Sequence, residues 1–414
     1  MAANSRTPSA TYNLSVSLSV LQKYLKGDRF LWGLILLLMV ISFLPIYSAS
    51  SSLAYKFGGG NTFKFLTKHL IHLVLGGILM YAVHRLNFRI IGKLSVAILP
   101  FAILMLIVTL AQGTEMGGAN ASRWVRIPVL GFTFQTSAFA SLALLVWLAR
   151  WFSKPRDLEP FKSLYWPLGA IAGTLIFILP ADFSTTAIIF LMAFILMFVA
   201  GVPVKNLGKI MGIAVAGLTL FILIVLAFPN ISNRVSTWKA RIVNFVSDDV
   251  DNDASYQTDL AKMAIAEGQI FGKGPGKSVQ KNFLPQSNSD FVFAIITEEY
   301  GLFGASTIIL IYAALFRRMV RIARKAHTKF GTLLVLAAAS GMILQTLVNM
   351  SVATNLMPVT GQTLPFLSAG GSSIWMTCIA LGIILSVSHT DVEKIVGENA
   401  QELEENEPKT PLNA

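Results

Sequence analysis

The sequence predicts an all-α polytopic membrane protein of about ten transmembrane helices, with one large extracytoplasmic loop between the seventh and eighth. Three observations predict it. Hydrophobic residues make up 54% of the 414 positions and charged residues 13%, against roughly 25% charged in an ordinary soluble domain. The apolar residues are gathered into runs, and because a spanning helix needs roughly 20 of them, about ten spans would use up nearly all of the apolar residues. The basic residues fall mainly between alternate runs, as the positive-inside rule requires. The formal charge of +12 therefore reports topology and not nucleic-acid binding, since no basic cluster is interleaved with base-stacking aromatics.

Residues 1–30 form a cytoplasmic segment, polar and then basic (Lys23, Lys26, Arg29), and lead into the apolar run 31–47 without a small-residue cleavage site. That pattern is an uncleaved first span, not a signal peptide. Further apolar runs lie near 66–84, 90–112, 137–152, 164–181, 184–203 and 207–228, then, past a polar stretch, near 291–315, 330–354 and 366–388. With the N-terminus inside, nineteen Lys and Arg fall in cytoplasmic segments, against five in the short outer loops (Lys56, Lys64, Lys68, Arg123, Arg126). Short-loop charge sets orientation, so 31–388 reads as a ten-span membrane domain with both termini in the cytoplasm. Loop 229–290 is the only soluble-looking segment large enough for a folded site. Its first half carries the acidic run Asp248 to Asp253; its second half, GQIFGKGPGKSVQKNFLPQSNSD, alternates apolar residues with glycine and lysine and is where the site is placed. Residues 389–414, acidic and Pro-containing from Glu393 onward, have the composition of a disordered tail. The single cysteine, Cys378, lies in an apolar run, so no disulfide forms within one chain. His69 and His72 share a helical face, which fits a hydrogen-bonded intramembrane pair better than a metal site lacking a third ligand.

Asp290 sits where the long loop meets the eighth apolar run, and partial desolvation there makes a carboxylate a better proton acceptor. The same position suits a helix N-cap, since Asp is among the best capping residues. Glu298 and Glu299 lie deeper, where an ionisable residue is a functional candidate by default. Eight residues of helix separate Glu298 from Asp290 by about 12 Å, beyond the roughly 5–9.5 Å of paired-carboxylate glycosidases. Gly272, Gly274 and Gly276 match no phosphate-loop spacing and read as a turn. Lys273, Lys277 and Lys281, spaced by four, would line one side of a short helix, as a solvated face or as a grip on lipid phosphate. Asp182, after Pro180, suits either a cap of the sixth span or a place facing an outer cavity. Gln345, Thr346 and Asn349 fall on one helical face, as interhelical hydrogen-bonding residues do. TGQTLPFLSAGGSS (360–373) places Thr, Pro, Ser and paired glycines at the start of the last span, where a broken helix end can approach a substrate.

Together these runs resemble the SEDS family (shape, elongation, division and sporulation) of polytopic bacterial glycosyltransferases. The resemblance covers nearly all of 30–390 and is most specific in Tyr256, Gln257, GQIFGKGPGKSVQK and LPQSNSDFVFAIITEEYG, which follow the division-type pattern more than the elongation type. Ser122, Arg123 and Trp124 and the TGQTLPFLSAGGSS stretch support it. Departures exist: Ala138 and Ser141 stand where the family has Glu and Lys, Asp182 and Thr185 alone survive of the usual QPDLGT, and Ala369 replaces a common aromatic. Loss of both charges at once is chemically sensible, because an unpaired buried charge is costly. The resemblance implies polymerisation of lipid II, the undecaprenyl-pyrophosphate disaccharide-peptide, at the outer face of the cytoplasmic membrane during division. It also implies a class B penicillin-binding protein and other divisome proteins as partners. The chemistry needs a base for the acceptor hydroxyl and cations for the departing pyrophosphate, while a general acid is dispensable. On that basis Asp290 is the base, Arg123 and Lys281 the cations, and Gln280, Ser368 and Asn349 weaker substrate contacts, with Asp182 and Glu298 as polar support. No cofactor is required; a divalent cation is compatible with phosphate departure. The competing readings are a lipid II flippase, using Asp182, Glu298 and Asn349 along a polar path, and a non-catalytic divisome scaffold.

Overall fold

The computed structural model describes residues 25–57, 61–112, 115–116, 119–120, 124–126, 133–227, 253–284 and 287–406. Among them, ten helical stretches are long and apolar enough to cross a membrane. The first is built of α1 (Arg29–Ile41) and α2 (Phe43–Phe57), joined through Ser42. There follow α3 (Phe63–Arg85) and α4 (Phe88–Gln112), two small antiparallel ladders pairing Glu115–Met116 with Ala119–Asn120 and Trp124–Arg126 with Thr133–Gln135, then α5 (Thr136–Ser153). Next come α6 (Tyr165–Ile178), α7 (Phe183–Ala200) and α8 (Val204–Ala227). Beyond the acidic run, whose first five residues lie outside the described ones, come α9 (Asp253–Gly268), α10 (Val292–Lys325), α11 (Lys329–Ala353) and α12 (Ser372–Asn406).

The ends of these helices follow local chemistry. Asp28 caps α1 by accepting from the Leu31 amide (2.8 Å), and Thr328 caps α11 through the Gly331 amide (3.0 Å), each satisfying an amide the helix leaves open. α3 and α12 pack along each other. Small residues permit this approach: a Cβ on Gly76 would meet the Cys378 Sγ at 2.8 Å, and one on Gly382 the Met80 carbonyl oxygen at 2.6 Å. Close backbone contact of this kind drives association where hydrophobicity alone does not discriminate. The buried cysteine is thus a packing residue.

Two boundaries differ from the sequence reading. The tenth span begins at Ser372, not 366, because Pro365 and the positive-φ Gly371 keep 360–371 out of the helix. α12 also continues to Asn406, where a disordered tail was expected, since its Glu, Ala, Gln and Leu residues are strong helix formers.

α10 is not one helix. At Gly301 φ is +65° and ψ −165°, so residues 292–300 and 302–325 are two helices in tandem. In an unbroken helix the amides of Leu302 and Phe303 would serve the carbonyls of Glu298 and Glu299. Here those amides donate instead to the Gln269 and Ile270 carbonyls (2.8 and 3.1 Å), while the Glu298 and Glu299 carbonyls accept from the Lys273 and Gly274 amides (3.0 and 2.9 Å). The segment leaving α9 is thus threaded into the break. All of 291–299 is buried, as interrupted backbone at membrane depth must be.

The fit leaves no room for side chains. A Cβ on Gly272 would stand 2.2 Å from the Glu299 carbonyl oxygen, whereas Gly276, also at positive φ (+73°), has nothing within 4 Å. Gly272→Ala is therefore expected to destabilise the protein by more than about 3 kcal/mol, and Gly276→Ala by only the roughly 1–2 kcal/mol of a left-handed L-residue. Thermal unfolding of the two purified variants measures the difference.

Candidate functional site

Asp290 occupies the turn 287–291 that enters α10, and is 8% exposed. The N-cap position belongs to Phe291, with no side-chain cap bond, so Asp290 is not the helix cap. Its backbone is fixed from two directions. Asn349 of α11 donates both Nδ2 hydrogens, to the carbonyls of Asp290 (2.8 Å) and Gln362 (2.7 Å). Ser368 donates to the Ser289 carbonyl (2.5 Å) while accepting from the Leu364 amide (2.8 Å), and the Ala369 amide donates to the Asn288 carbonyl (2.8 Å). The 360–371 loop is itself pinned where the buried Tyr312 hydroxyl bonds the Pro365 carbonyl. Gln362 Nε2 donates to Thr185 Oγ1 (3.0 Å), which donates to the Asp182 carboxylate (2.5 Å). Asp182 also accepts from the Thr185 amide (3.2 Å), and so is the cap of α7.

Asn349 and Ser368 were expected to touch substrate. With these hydrogens committed to backbone carbonyls and both side chains buried, they position the Asp290 turn instead. Of the three residues on one face of α11, Asn349 alone bridges segments, since Thr346 bonds the Met342 carbonyl of its own helix.

The expected lysine stripe is absent because no helix forms over 272–279: Gly272, Gly274 and Gly276 all take positive φ, outside the helical region. Only Gln280–Asn282 make a 3₁₀ turn, closed by the Gln280 carbonyl accepting from the Phe283 amide (3.1 Å). Lys273 pairs with Glu267 and with Glu298 (2.9 Å). Glu298 also accepts from the Ser278 hydroxyl and the Val279 amide (2.8 Å), and Glu299 from the Ser278 amide (3.2 Å) and the Ser48 hydroxyl. Lys281 is buried and donates to the Gly276 carbonyl (2.6 Å) and Ser48 (3.3 Å). Gln280 and Lys281 therefore shape the loop interior, and the two glutamates hold the loop onto the first span.

A cavity of about 270 Å³ opens beside the Asp290 turn, lined among others by Lys68, His69, His72, Trp124, Asn288 and Gly371. Ser42 and His69 Nε2 lie 2.8 Å apart in a hydrogen bond, which fastens the first span to this wall. Lys68 is exposed and makes no ion pair among the described residues. Sequence reasoning counted it only as a loop charge; its signal was a lysine in register with two histidines at the edge of an apolar run. Arg123 lies outside the described residues, directly before Trp124, which lines the cavity. Ala369, where an aromatic is common in the resembling family, also lines it. A smaller void of about 60 Å³ touches Ala138, Ser141, Gln345 and Thr377, so the absent Glu and Lys are replaced by space.

The profile of the FtsW/RodA/SpoVE family, described as cell cycle protein, matches residues 28–393. The chain belongs to this family. It is 31% identical over 366 residues to stage V sporulation protein E of Bacillus subtilis, covering 87% of this chain and 96% of that one. It is 32% identical over 387 residues to the probable peptidoglycan glycosyltransferase FtsW of Geobacter sulfurreducens, covering 91% and 98%. In three dimensions it is similar to a chain of a peptidoglycan synthase complex (TM-score 0.69, 24% identity, 88% and 98% covered) and to the rod shape determining protein RodA of Thermus thermophilus (TM-score 0.63, 23% identity, 88% and 98% covered). The FtsW/RodA/SpoVE fold and the ten spans make this a multi-pass bacterial membrane protein.

The loop tether has a definite electrostatic character. The hydrogen bond from Lys273 holds the Glu267 carboxyl below its usual 4.5, and Glu267 followed by Glu298 hold Lys273 above its usual 10.5. The Glu267 contribution is in place above about pH 4.5 and lost as pH falls through its lowered value. That of Lys273 is in place below about pH 10.5 and lost as pH rises through its raised one. Solvent reaches Glu267 and Lys273, so both contributions are small. Limited proteolysis at Lys277 should proceed at one rate between about pH 5 and pH 10. Glu298→Gln, which removes the fully buried member of the pair, should accelerate that cleavage and destabilise the fold by about 2–3 kcal/mol.

Proposed function

We propose that this protein is an inverting peptidoglycan glycosyltransferase that polymerises lipid II into glycan strands, with Asp290 as the general base. The observation that carries this reading is the Asp290 turn, gripped by Asn349, Ser368 and Ala369 beside a cavity whose cation is Lys68. The name of the Geobacter relative supports the activity. A base held by backbone clamps on two sides keeps its geometry as the acceptor enters. Asp290 takes the proton of the acceptor hydroxyl, which attacks the donor sugar carbon from the face opposite the pyrophosphate. The bond to the pyrophosphate breaks, and the undecaprenyl pyrophosphate leaves with the electron pair. Its charge needs positive side chains already in place; Lys68 meets that need within the cavity, and Arg123 next to Trp124 is the second cation. Lys281, by contrast, has two of its three donors engaged, by the Gly276 carbonyl of the loop and by Ser48 of the first span.

The same reading places the cavity at the outer face, both termini in the cytoplasm, the work at the division septum, and a class B penicillin-binding protein alongside to cross-link the product. The flippase alternative requires Asp182, Glu298 and Asn349 to line a polar path. Each is buried and bonded within the protein, and an unsatisfied path for a headgroup is not what these bonds build.

Asp290→Asn keeps the shape of the turn and its backbone clasps. It is expected to fold and co-purify with its transpeptidase partner, yet to make glycan from lipid II at least about 100-fold more slowly. Near-normal polymerisation by the folded variant would remove Asp290 from the chemistry. Lys68→Gln is expected to lower kcat/KM for lipid II by about 10- to 100-fold without altering the melting temperature. For topology, a cysteine engineered at position 320 should resist a membrane-impermeant thiol reagent applied outside intact cells, and one at position 250 should react.

A further inference from the structure

We infer that a second site, remote from Asp290, binds the phosphate headgroup of an anionic membrane lipid. On the side of the membrane that carries the basic loops, α4 and α5 enclose a hollow of about 120 Å³ lined by Val96, Trp147, Arg150, Trp151, Lys154 and Arg156. Three of its six lining residues are cationic and none is acidic. Arg150 is anchored by donating from Nη1 to the Gly92 carbonyl (2.5 Å), and the Arg156 guanidinium lies 4.5 Å from the centre of the Trp151 ring. None of the three cations makes an ion pair among the described residues. The nearest carboxylate in sequence, Asp157, accepts from the Glu159 amide (3.0 Å) of its own turn. Three like charges around one hollow repel each other unless an anion joins them.

The shape of the adjoining surface says which anion. Val96 is 51% exposed, and at helical spacing above it on α4 stand Leu104 (56%) and Ile107 (42%), an apolar stripe rising from the hollow. A soluble phosphate would leave that stripe unused. A phospholipid places its phosphodiester among Arg150, Lys154 and Arg156 and its acyl chains along the stripe, while the indoles sit at the depth where Trp is favoured. Basic pockets between spans on this side are known headgroup sites in general; the hollow differs from ordinary loop charge in having an aromatic wall and an anchored arginine.

The test uses the full-length protein in nanodiscs of phosphatidylcholine with increasing phosphatidylglycerol, counting retained phosphatidylglycerol by native mass spectrometry. The site variant is Lys154→Gln/Arg156→Gln. The control is Arg321→Gln/Arg324→Gln, which removes the same charge from exposed positions at the end of α10. At about 1 kcal/mol per cation, or about fivefold each, the site variant should hold the lipid roughly 25-fold more weakly, and the control within about twofold of the parent. Equal losses in both variants would reduce the site to general surface charge and overturn the proposal. So would displacement of the lipid by millimolar inorganic phosphate, which would show that the hollow takes a free anion. Melting temperatures of both variants should match the parent, since all four side chains are exposed and make no ion pair among the described residues.

Discussion

The break at Gly301 is the constraint from which the rest of the site follows. Two amides and two carbonyls are released there inside a membrane protein, where an unbonded backbone group costs several kcal/mol. The segment Gln269–Gly274 supplies the four missing partners. A loop that would otherwise be free over water is thereby locked to a helix interior, and the half-helix 292–300 gains an independent direction. Its buried carboxylates then meet the Lys273 and Ser278 side chains and the Val279 amide of the loop, while its other end delivers the Asp290 turn to the 360–371 loop.

Charge is used here in two ways. Glu298 and Glu299 are fully buried; Glu298 is met by Lys273, the Ser278 hydroxyl and the Val279 amide, and Glu299 through Oε1 by the Ser278 amide and the Ser48 hydroxyl. Their purpose is shape. Asp290 is also largely buried, but the bonds described around it go to its backbone and to the backbone of its neighbours. The position of the turn is thus set by main-chain bonds from two other segments of the fold.

Much of this was legible in the sequence, and the remainder was hidden for identifiable reasons. Ten spans were readable because hydropathy is a sum over roughly 20 residues. Asp182 as a cap was readable because the cap bond is local, reaching only Thr185. The break was not, since residues 292–325 carry a continuous helical pattern and the partners that stabilise an interruption lie some 30 positions earlier. For the same reason Asn349 and Ser368 were taken for ligand contacts: residue type shows that a polar side chain needs a partner, but not that the partner is a carbonyl at 288–290. Lys68 was passed over because its neighbours across the cavity, Trp124 and Asn288, come from distant parts of the chain. The start of the last span was misplaced because Phe366 and Leu367 are apolar whether or not they are helical.

α12 runs for 35 residues, which at 1.5 Å each is about 52 Å, well beyond the roughly 30 Å of a bilayer core. Its first residue, Ser372, accepts a hydrogen bond from the Gln135 amide (3.0 Å) next to the cavity wall, and its helical backbone continues past Thr390, where the apolar stretch long enough to cross a membrane ends. A rod of that length acts as a lever: a tilt of a few degrees displaces its far end by several ångströms while moving the near end hardly at all. Any push on the part beyond Thr390 would therefore reach the cavity end as a much smaller displacement.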